Sequence, residues 1–258
     1  MEKPRGTMLV STAVILCCAS FGLGLAVGGL IPALRGGEGA APAPEARPAA
    51  AVQEKAPDAV AAARNHAAHS PDDPDAWVAL GNACYDARIT GEASKAYERA
   101  LELRPGVPDV LTDMGSMHRM QGNPAEAVRC YERALAVNPS HANAVYNKGA
   151  TLLLDMEDAA GALAFWRGVL AKSPDLALSN GSRLADAVPE ILADAALLLS
   201  GHGHDGAAVK TAELIAGEYP GNARALMAAA SVFEKAGRTD EALALRKRAE
   251  GASGKAGE

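Results

Sequence analysis

The segment 201–206, which reads Gly-His-Gly-His-Asp-Gly, could do chemistry in two ways. Its glycine spacing is that of the dinucleotide fingerprint GxGxxG, which needs a strand before it and a second strand after the following helix. Its two imidazoles and one carboxylate are also metal-ligand types. However, 219–222 leads straight into another Ala-rich helical run, and three ligands on one turn leave no fourth in view. We therefore expect an exposed polar turn, with no cofactor and no metal.

No candidate nucleophile has the local sequence of a catalytic one. The Ser-Met-His segment 116–118 lies in a helical run and lacks the strand-to-helix elbow that exposes a serine. Cys17, Cys18, Cys84 and Cys130 form no CxxC pair and no ligand spacing, so we expect unpaired small hydrophobic residues. The sequence predicts a protein that is not an enzyme and has no catalytic residues.

The composition favours an all-α protein. Hydrophobic residues make up 49% of the 258 residues and aromatic residues only 4%, and alanine is abundant. This mixture suits closely packed helices better than a β-sandwich, which needs β-branched and aromatic side chains. The formal net charge of −6 carries no basic excess. Because negative charge repels phosphate, nucleic acid is not an expected partner.

A fixed internal period organises these helices. The segments 97–101 and 131–135 both read Tyr-Glu-Arg-Ala-Leu, and Pro105 and Pro139 follow them at the same interval. A repeat length of about 34 residues indicates helix-turn-helix units that must stack, since one unit cannot bury its apolar face alone. Where two helices cross closely, at about 8 Å, small residues must occupy the contact.

The period and its residue pattern closely resemble the tetratricopeptide repeat. The resemblance implies that small residues sit where the two helices of a repeat cross, while large residues fill the space between repeats. It also implies a role in binding, although repeats of this family serve many unrelated binding tasks. The residues assigned to the repeat core are Trp77, Gly81, Ala93, Tyr97, Ala100, Pro105, Gly115, Ala127, Tyr131, Ala134, Pro139 and Trp166.

The predicted fold class is therefore all-α, a tetratricopeptide-like α-solenoid of stacked helical hairpins with one N-terminal transmembrane helix. The third strong repeat is one residue longer than the others. A Ser-Asn-Gly-Ser turn signal then interrupts the period. The predicted segments are a capping helix at 57–73, three strong repeats at 74–174, an insertion at 175–188, two degenerate repeats at 189–250 and a tail at 251–258.

An apolar segment near the N-terminus predicts the membrane anchor. Residues 7–34 form an uninterrupted run without a charge, and it is longer than the roughly 20 residues that span a bilayer. A cleaved signal peptide has a shorter apolar region, of about 7 to 15 residues. Lys3 and Arg5 within 1–6 place the N-terminus in the cytoplasm by the positive-inside rule. We expect a single-pass protein of the inner membrane with its repeats in the periplasm.

Two further features accompany the anchor. Gly24 and Gly28 form a small-xxx-small pattern, which permits a homodimer through the membrane helix, although glycine is common in such helices anyway. Residues 35–56 are rich in Ala, Pro and Gly, and they predict a semi-flexible linker that lifts the repeats off the bilayer.

The expected partner is a protein or peptide segment. The first helix of each repeat is expected to line a concave surface, and its side chains outside the core are the candidate contacts. A solvated face without a binding role remains the alternative. The candidate groove residues are Asn82, Tyr85, Asp86, Ser116, Arg119, Tyr146 and Asn147.

Two functions fit these features. The first is a membrane-tethered adaptor or assembly factor. Residues 161–170 and the single anchor loosely resemble the tetratricopeptide subunits of bacterial cytochrome c maturation, which implies holding apocytochrome c; the chain has no haem-attachment CxxCH of its own. The second is a structural scaffold of an envelope or secretion complex.

Overall fold

The computed structural model describes residues 56–254, in two compact units of residues 56–121 and 122–254. We call them the N-terminal unit and the C-terminal unit. The predicted anchor at 7–34, with its Gly24 and Gly28, and nearly all of the linker lie outside the described residues. No helix within 56–254 is long and apolar enough to cross a membrane.

Within 56–254 the structure contains helices and no β-strand, apart from one isolated bridge between Ala177 and Arg183. The N-terminal unit contains α1 (Ala56–His69), α2 (Pro74–Asp86), α3 (Thr90–Leu103) and α4 (Pro108–Met120). The C-terminal unit contains α5 (Pro124–Val137), α6 (Ala142–Ala150), a π-helical turn (Thr151–Asp155), α7 (Ala159–Lys172), α8 (Leu184–Gly201), α9 (Asp205–Glu218), α10 (Ala223–Lys235) and α11 (Thr239–Gly254).

Local sequence signals start these helices. Proline occupies the first position of α2, α4 and α5, where the missing N–H costs no helical hydrogen bond. Asp73, Asp158 and Asn222 are side-chain N-caps of α2, α7 and α10, each accepting a backbone N–H of the first turn. Local sequence therefore marks the starts of α2, α4, α5, α7 and α10.

One backbone position recurs in the turn between the two helices of every repeat. It has a positive φ, between 55° and 83°, and is glycine in three repeats, at Gly122, Gly203 and Gly237. Arg88 and Glu157 adopt the same left-handed conformation at the equivalent place in the first and third repeats. The two repeats that are degenerate in sequence thus keep the same turn as the strong ones.

The extra residue of the third repeat is absorbed in its first helix. The interval from Gly149 to Trp166 is one residue longer than the equivalent interval from Gly81 to Tyr97. The π-helical turn at Thr151–Asp155 lies within the longer interval, and a π-turn is the usual way for a helix to accommodate one added residue. Gly149 consequently still lies against the indole of Trp166, as Gly81 lies against the ring of Tyr97.

The predicted insertion is shorter than expected. The sequence placed it at 175–188, but α8 begins at Leu184, and Pro189 lies inside this helix. The remaining loop folds back on itself, with hydrogen bonds from Leu178 N to Ser182 O and from Leu184 N to Leu176 O, both 2.8 Å. Leu178 is buried in the core of the C-terminal unit and anchors this small hairpin. Likewise, α11 continues through Gly254, into the predicted tail.

Candidate functional site

Nine of the twelve residues assigned to the repeat core are buried, and the assignment is wrong for the other three. Trp77 is half-buried, with its indole N–H donating to the carbonyl of Pro71 at 2.8 Å, and Pro105 and Pro139 are exposed in loops. None of the candidate groove residues is fully buried. The core residues that are buried are Gly81, Ala93, Tyr97, Ala100, Gly115, Ala127, Tyr131, Ala134 and Trp166.

The candidate groove residues are divided between the two units. Asn82, Tyr85 and Asp86 lie on α2, and Ser116 and Arg119 lie on α4, all in the N-terminal unit. The remaining pair, 146 and 147, lies on α6 of the C-terminal unit. Each unit therefore presents its own part of the predicted surface.

Asn82 has a structural task that the sequence did not reveal. The hydroxyl of Tyr97 donates to its Oδ1 at 2.8 Å, which joins the two helices of the first repeat. Burial raises the pKa of Tyr97, so this hydroxyl stays protonated and remains a donor. One lone pair of the Asn82 amide oxygen is therefore already used within the first repeat.

Carboxylates gather on the N-terminal unit's part of the surface. Asp113, on α4, is half-buried, and its desolvation, with smaller contributions from the charges of Asp109 and Asp86, raises its pKa to about 7. Burial also raises the pKa of Asp86, on α2. Holding these carboxylates close together costs stability, since the charged forms are both desolvated and mutually repelled.

The hydroxyl of Ser116 is used within its own helix. It donates to the carbonyl of Thr112 at 3.1 Å, and the hydroxyl of Thr112 donates to the carbonyl of Pro108 at 2.7 Å. These bonds satisfy both hydroxyl donors, so a partner could only donate to their remaining lone pairs. Elsewhere in the N-terminal unit, Arg104 pairs with Asp75 across the first repeat.

In the C-terminal unit, Tyr146 and Asn147 are half-buried, and Tyr146 packs against the hydrophobic core. The hairpin after α7 reaches the same helix, where the hydroxyl of Ser179 donates to the side-chain carbonyl of Asn143. The hairpin thus covers part of the α6 surface that was expected to face a partner.

A groove between α8 and α10 was missed at the sequence level. These helices are the first helices of the two degenerate repeats. Leu197 on α8 is 44% exposed and Met227 on α10 is 45% exposed, and both line the same cavity of about 240 Å³. Arg224 lies beside them and pairs with Glu190 and Asp194 of α8. Leucine and methionine at first-helix positions outside the core were the available signal, but the candidate groove residues were taken from the first three repeats only.

The Gly-His-Gly-His-Asp-Gly segment forms the turn between α8 and α9. His202 bonds the carbonyl of Leu198 at 2.8 Å through Nδ1, and His204 bonds Glu157 at 2.7 Å through Nδ1. The two imidazoles thus have separate partners. Across residues 56–254, no group of three His, Cys, Asp or Glu side chains is placed to hold a metal ion.

Cys84 and Cys130 are buried free thiols. Burial raises the pKa of both. A buried protonated thiol is a small hydrophobic group with little nucleophilic reactivity. Cys17 and Cys18 lie outside the described residues.

Helical hairpins that repeat one crossing and one turn define a protein of the stacked-repeat class. Residues 74–107 and 108–141 each match the tetratricopeptide repeat family, so these two repeats are tetratricopeptide repeats. This repeat mediates protein–protein interaction and is typically a non-catalytic scaffold that binds protein or peptide segments. No curated protein matches the sequence significantly.

Three solved structures illustrate the similarity of fold. YrrB, a tetratricopeptide protein with an unusual peptide-binding site, is 18% identical over 75% of this chain and 93% of its own, with a TM-score of 0.47. PilW, a type IV pilus biogenesis factor, is 18% identical over 74% of this chain and 83% of its own, with a TM-score of 0.47. MamA from Desulfovibrio magneticus RS-1 is 16% identical over 70% of this chain and 94% of its own, with a TM-score of 0.44.

Proposed function

We propose that this chain is a membrane-tethered adaptor or assembly factor whose repeats hold a segment of another protein in the bacterial periplasm. The observation that carries the proposal is the separation along α2 and α4. Gly81 is buried against the ring of Tyr97 and Gly115 is buried on α4, while polar and aromatic side chains of the same helices stay accessible. A surface of this kind can bind a segment without disturbing the fold.

The tether is proposed from sequence, through residues 7–34. A reporter that is active only in the periplasm, fused after residue 258, is expected to be active, because the positive charges before the anchor favour a cytoplasmic N-terminus. The fusion should also stay with membranes after a salt wash. Release into the soluble fraction would instead identify residues 7–34 as a cleaved signal.

A specific form of the proposal is that the repeats hold apocytochrome c. The resemblance behind it lies in residues 161–170, where Ala162, Leu163 and Trp166 are buried repeat-core residues. Any third repeat needs such residues, so the general adaptor is the better supported form. Crosslinking in cells followed by purification distinguishes a protein that holds apocytochrome c from a structural scaffold. Unfolded c-type cytochrome chains among the purified partners would support the first role. Stable envelope components would support the second.

The surface of the N-terminal unit is tested by Asn82→Ala combined with Arg119→Ala. We expect the double variant to lose a few kcal/mol of partner binding if both are hot spots, measured as the loss of crosslinked partners. Because Asn82 also accepts from Tyr97, we expect a stability cost of about 1 kcal/mol.

Tyr97→Phe is the matched control, since it removes the same hydrogen bond but leaves both surface side chains in place. Partner capture by Tyr97→Phe should therefore resemble the wild type. If the control and the double variant lose capture equally, the loss reports on the fold and the assignment of this surface fails.

A further inference from the structure

The hairpin between α7 and α8 contains the one Asn-Gly pair of the sequence, Asn180 followed by Gly181. Both residues are exposed. The carbonyl carbon of an asparagine side chain is an electrophile, and the backbone nitrogen of the next residue is a nucleophile that can close a succinimide ring on it. Gly181 has no side chain to hinder this approach, and the space where a Cβ would lie is open to 4 Å. The pair is therefore a candidate site of covalent change.

The side chain of Asn180 is held in an Asx turn. Its Oδ1 accepts the backbone N–H of Ser182 at 3.0 Å and the hydroxyl of Ser182 at 2.7 Å. In an Asx turn the side chain mimics the first peptide group of a β-turn. Its carbonyl carbon, Cγ, consequently lies beside the backbone nitrogen of the next residue. The turn thus brings the electrophile and the nucleophile together before they react.

The two donors of Ser182 also favour the reaction electrostatically. Negative charge develops on Oδ1 of Asn180 when a nucleophile attacks Cγ, and a hydrogen bond to a charged acceptor is stronger than one to a neutral acceptor. Donors that already point at the atom where charge develops stabilise the transition state. The folded hairpin therefore supplies a small oxyanion site to the amide of Asn180.

From these contacts we infer that Asn180 is a site of spontaneous succinimide formation and that its isoaspartate product opens the hairpin. Water or hydroxide removes the proton of Gly181 N, which gives up its hydrogen bond to the carbonyl of Leu178. A bond forms between Gly181 N and Cγ of Asn180. The Cγ–Nδ2 bond breaks, and the amide nitrogen leaves as ammonia with a proton from water. Water then opens the succinimide at either carbonyl, which gives aspartate or isoaspartate.

Isoaspartate lengthens the backbone by one carbon, because the chain then runs through Cβ and Cγ of residue 180. This residue lies inside the pairing in which Leu178 N donates to Ser182 O at 2.8 Å, so the added carbon disrupts the register of the hairpin. The hairpin reaches α6 through the hydroxyl of Ser179, which donates to Asn143. Loss of the pairing therefore frees the part of α6 that the hairpin covers.

The chain offers an internal control at Asn138. Its Oδ1 accepts the backbone N–H of Ser140 at 3.1 Å, in the same kind of Asx turn. The next residue is Pro139, whose nitrogen has no proton to lose. Asn138 is exposed, as Asn180 is. We therefore expect Asn138 to keep its amide under conditions in which Asn180 loses it.

The purified full chain is incubated at neutral pH and body temperature, and its tryptic peptides are followed by mass spectrometry. Trypsin releases Asn180 within residues 173–183 and Asn138 within residues 134–148. We expect the mass gain of an amide-to-acid change at Asn180 alone, and labelling of its peptide by an isoaspartate methyltransferase. The rate should rise with pH, because Gly181 N must lose a proton. An Asn180 that keeps its amide as fully as Asn138 overturns the inference.

Ser182→Ala tests whether the folded hairpin promotes the reaction. The change removes the hydroxyl donor at 2.7 Å, so we expect the rate to fall about fivefold. Ser182→Thr keeps a hydroxyl and should react at nearly the wild-type rate. If the reaction required an open hairpin, Ser182→Ala would weaken the turn and react faster. An unchanged or faster rate in Ser182→Ala overturns the inference.

Amide hydrogen exchange tests the opening of the hairpin. In aged chain that contains isoaspartate at residue 180, the amides of Leu178 and Leu184 should exchange about tenfold faster or more than in fresh chain. Asn180→Asp is the matched control, because an aspartate accepts the same two donors without lengthening the backbone, and it should exchange as the wild type does. Equal protection in the isoaspartate form and in fresh chain overturns the inference.

Discussion

Replacing Gly149 with alanine is expected to destabilise the C-terminal unit by about 1 to 3 kcal/mol or more, although alanine is the better helix former. A Cβ at this position would lie closer than 3.0 Å to three ring atoms of Trp166. The indole is fully buried and its Nε1 donates to the carbonyl of Val145 at 3.3 Å, so it cannot swing aside. Urea unfolding of a Trp77→Phe background, followed through Trp166 fluorescence, measures the change.

Gly168→Ala is the matched control, because Gly168 is an exposed glycine on the helix of Trp166 and an added Cβ there meets nothing within 4 Å. It should stabilise by about 0.5 to 1 kcal/mol. Combining Gly149→Ala with Trp166→Leu should cost less than the sum of the single changes, since the smaller side chain leaves room for the methyl group. The whole cycle is followed by helical circular dichroism, because the Trp166→Leu variants lack the fluorescent reporter. Simple additivity would show that the glycine and the indole do not define this crossing.

The crossings are the part of the fold that the sequence predicts best. The repeat period predicted that small residues such as Gly81 lie where the helices of a repeat cross. In the structure Gly81 lies against the ring of Tyr97 and Gly149 against the indole of Trp166, so large residues expected between the repeats also take part in the crossings. The extra residue of the third repeat could be counted, but not located. Its placement in a π-helical turn depends on keeping Gly149 against Trp166, which is a tertiary constraint.

The insertion shows where local signals fail. The sequence marks a turn at 179–182, and the repeat register placed the start of the next repeat at residue 189. In the structure the helix begins at Leu184, with Pro189 inside it, and Leu184 and Val188 are buried in the core. Core packing of these residues thus sets the start of the helix, which the repeat register could not show.

The candidate site was only partly predictable. Sequence register assigns side chains to a helix face, so it identified Tyr85 and Arg119 as non-core residues. It cannot show that Asn82 is already bonded to Tyr97, because the two lie on different helices and meet only when the hairpin closes. Nor can it show that Asp113 is half-buried, since charged residues are usually exposed.

Asp113 should make the N-terminal unit less stable at about pH 8 than at about pH 5. Its folded pKa of about 7, raised mainly by burial and then by Asp109 and Asp86, lies above the unfolded value of about 3.9. The folded state therefore holds the proton more tightly. Stability is greatest below the unfolded pKa and falls as the pH rises toward 7. Asp86, whose pKa burial also raises, contributes with the same sign.

Asp113→Asn mimics the protonated carboxyl and should remove most of this decline, raising stability at about pH 8 by roughly 2 to 4 kcal/mol. Urea unfolding of a Trp166→Phe background is followed through Trp77, which is then the single tryptophan and lies in the N-terminal unit. Asp58→Asn, at an exposed position on α1, is the control and should leave the pH dependence in place. If the stability of Asp113→Asn falls with rising pH as much as that of the wild type, groups other than Asp113 cause the fall. A carboxyl ¹³C titration of Asp113 with its midpoint near 4 would show that the side chain is well solvated.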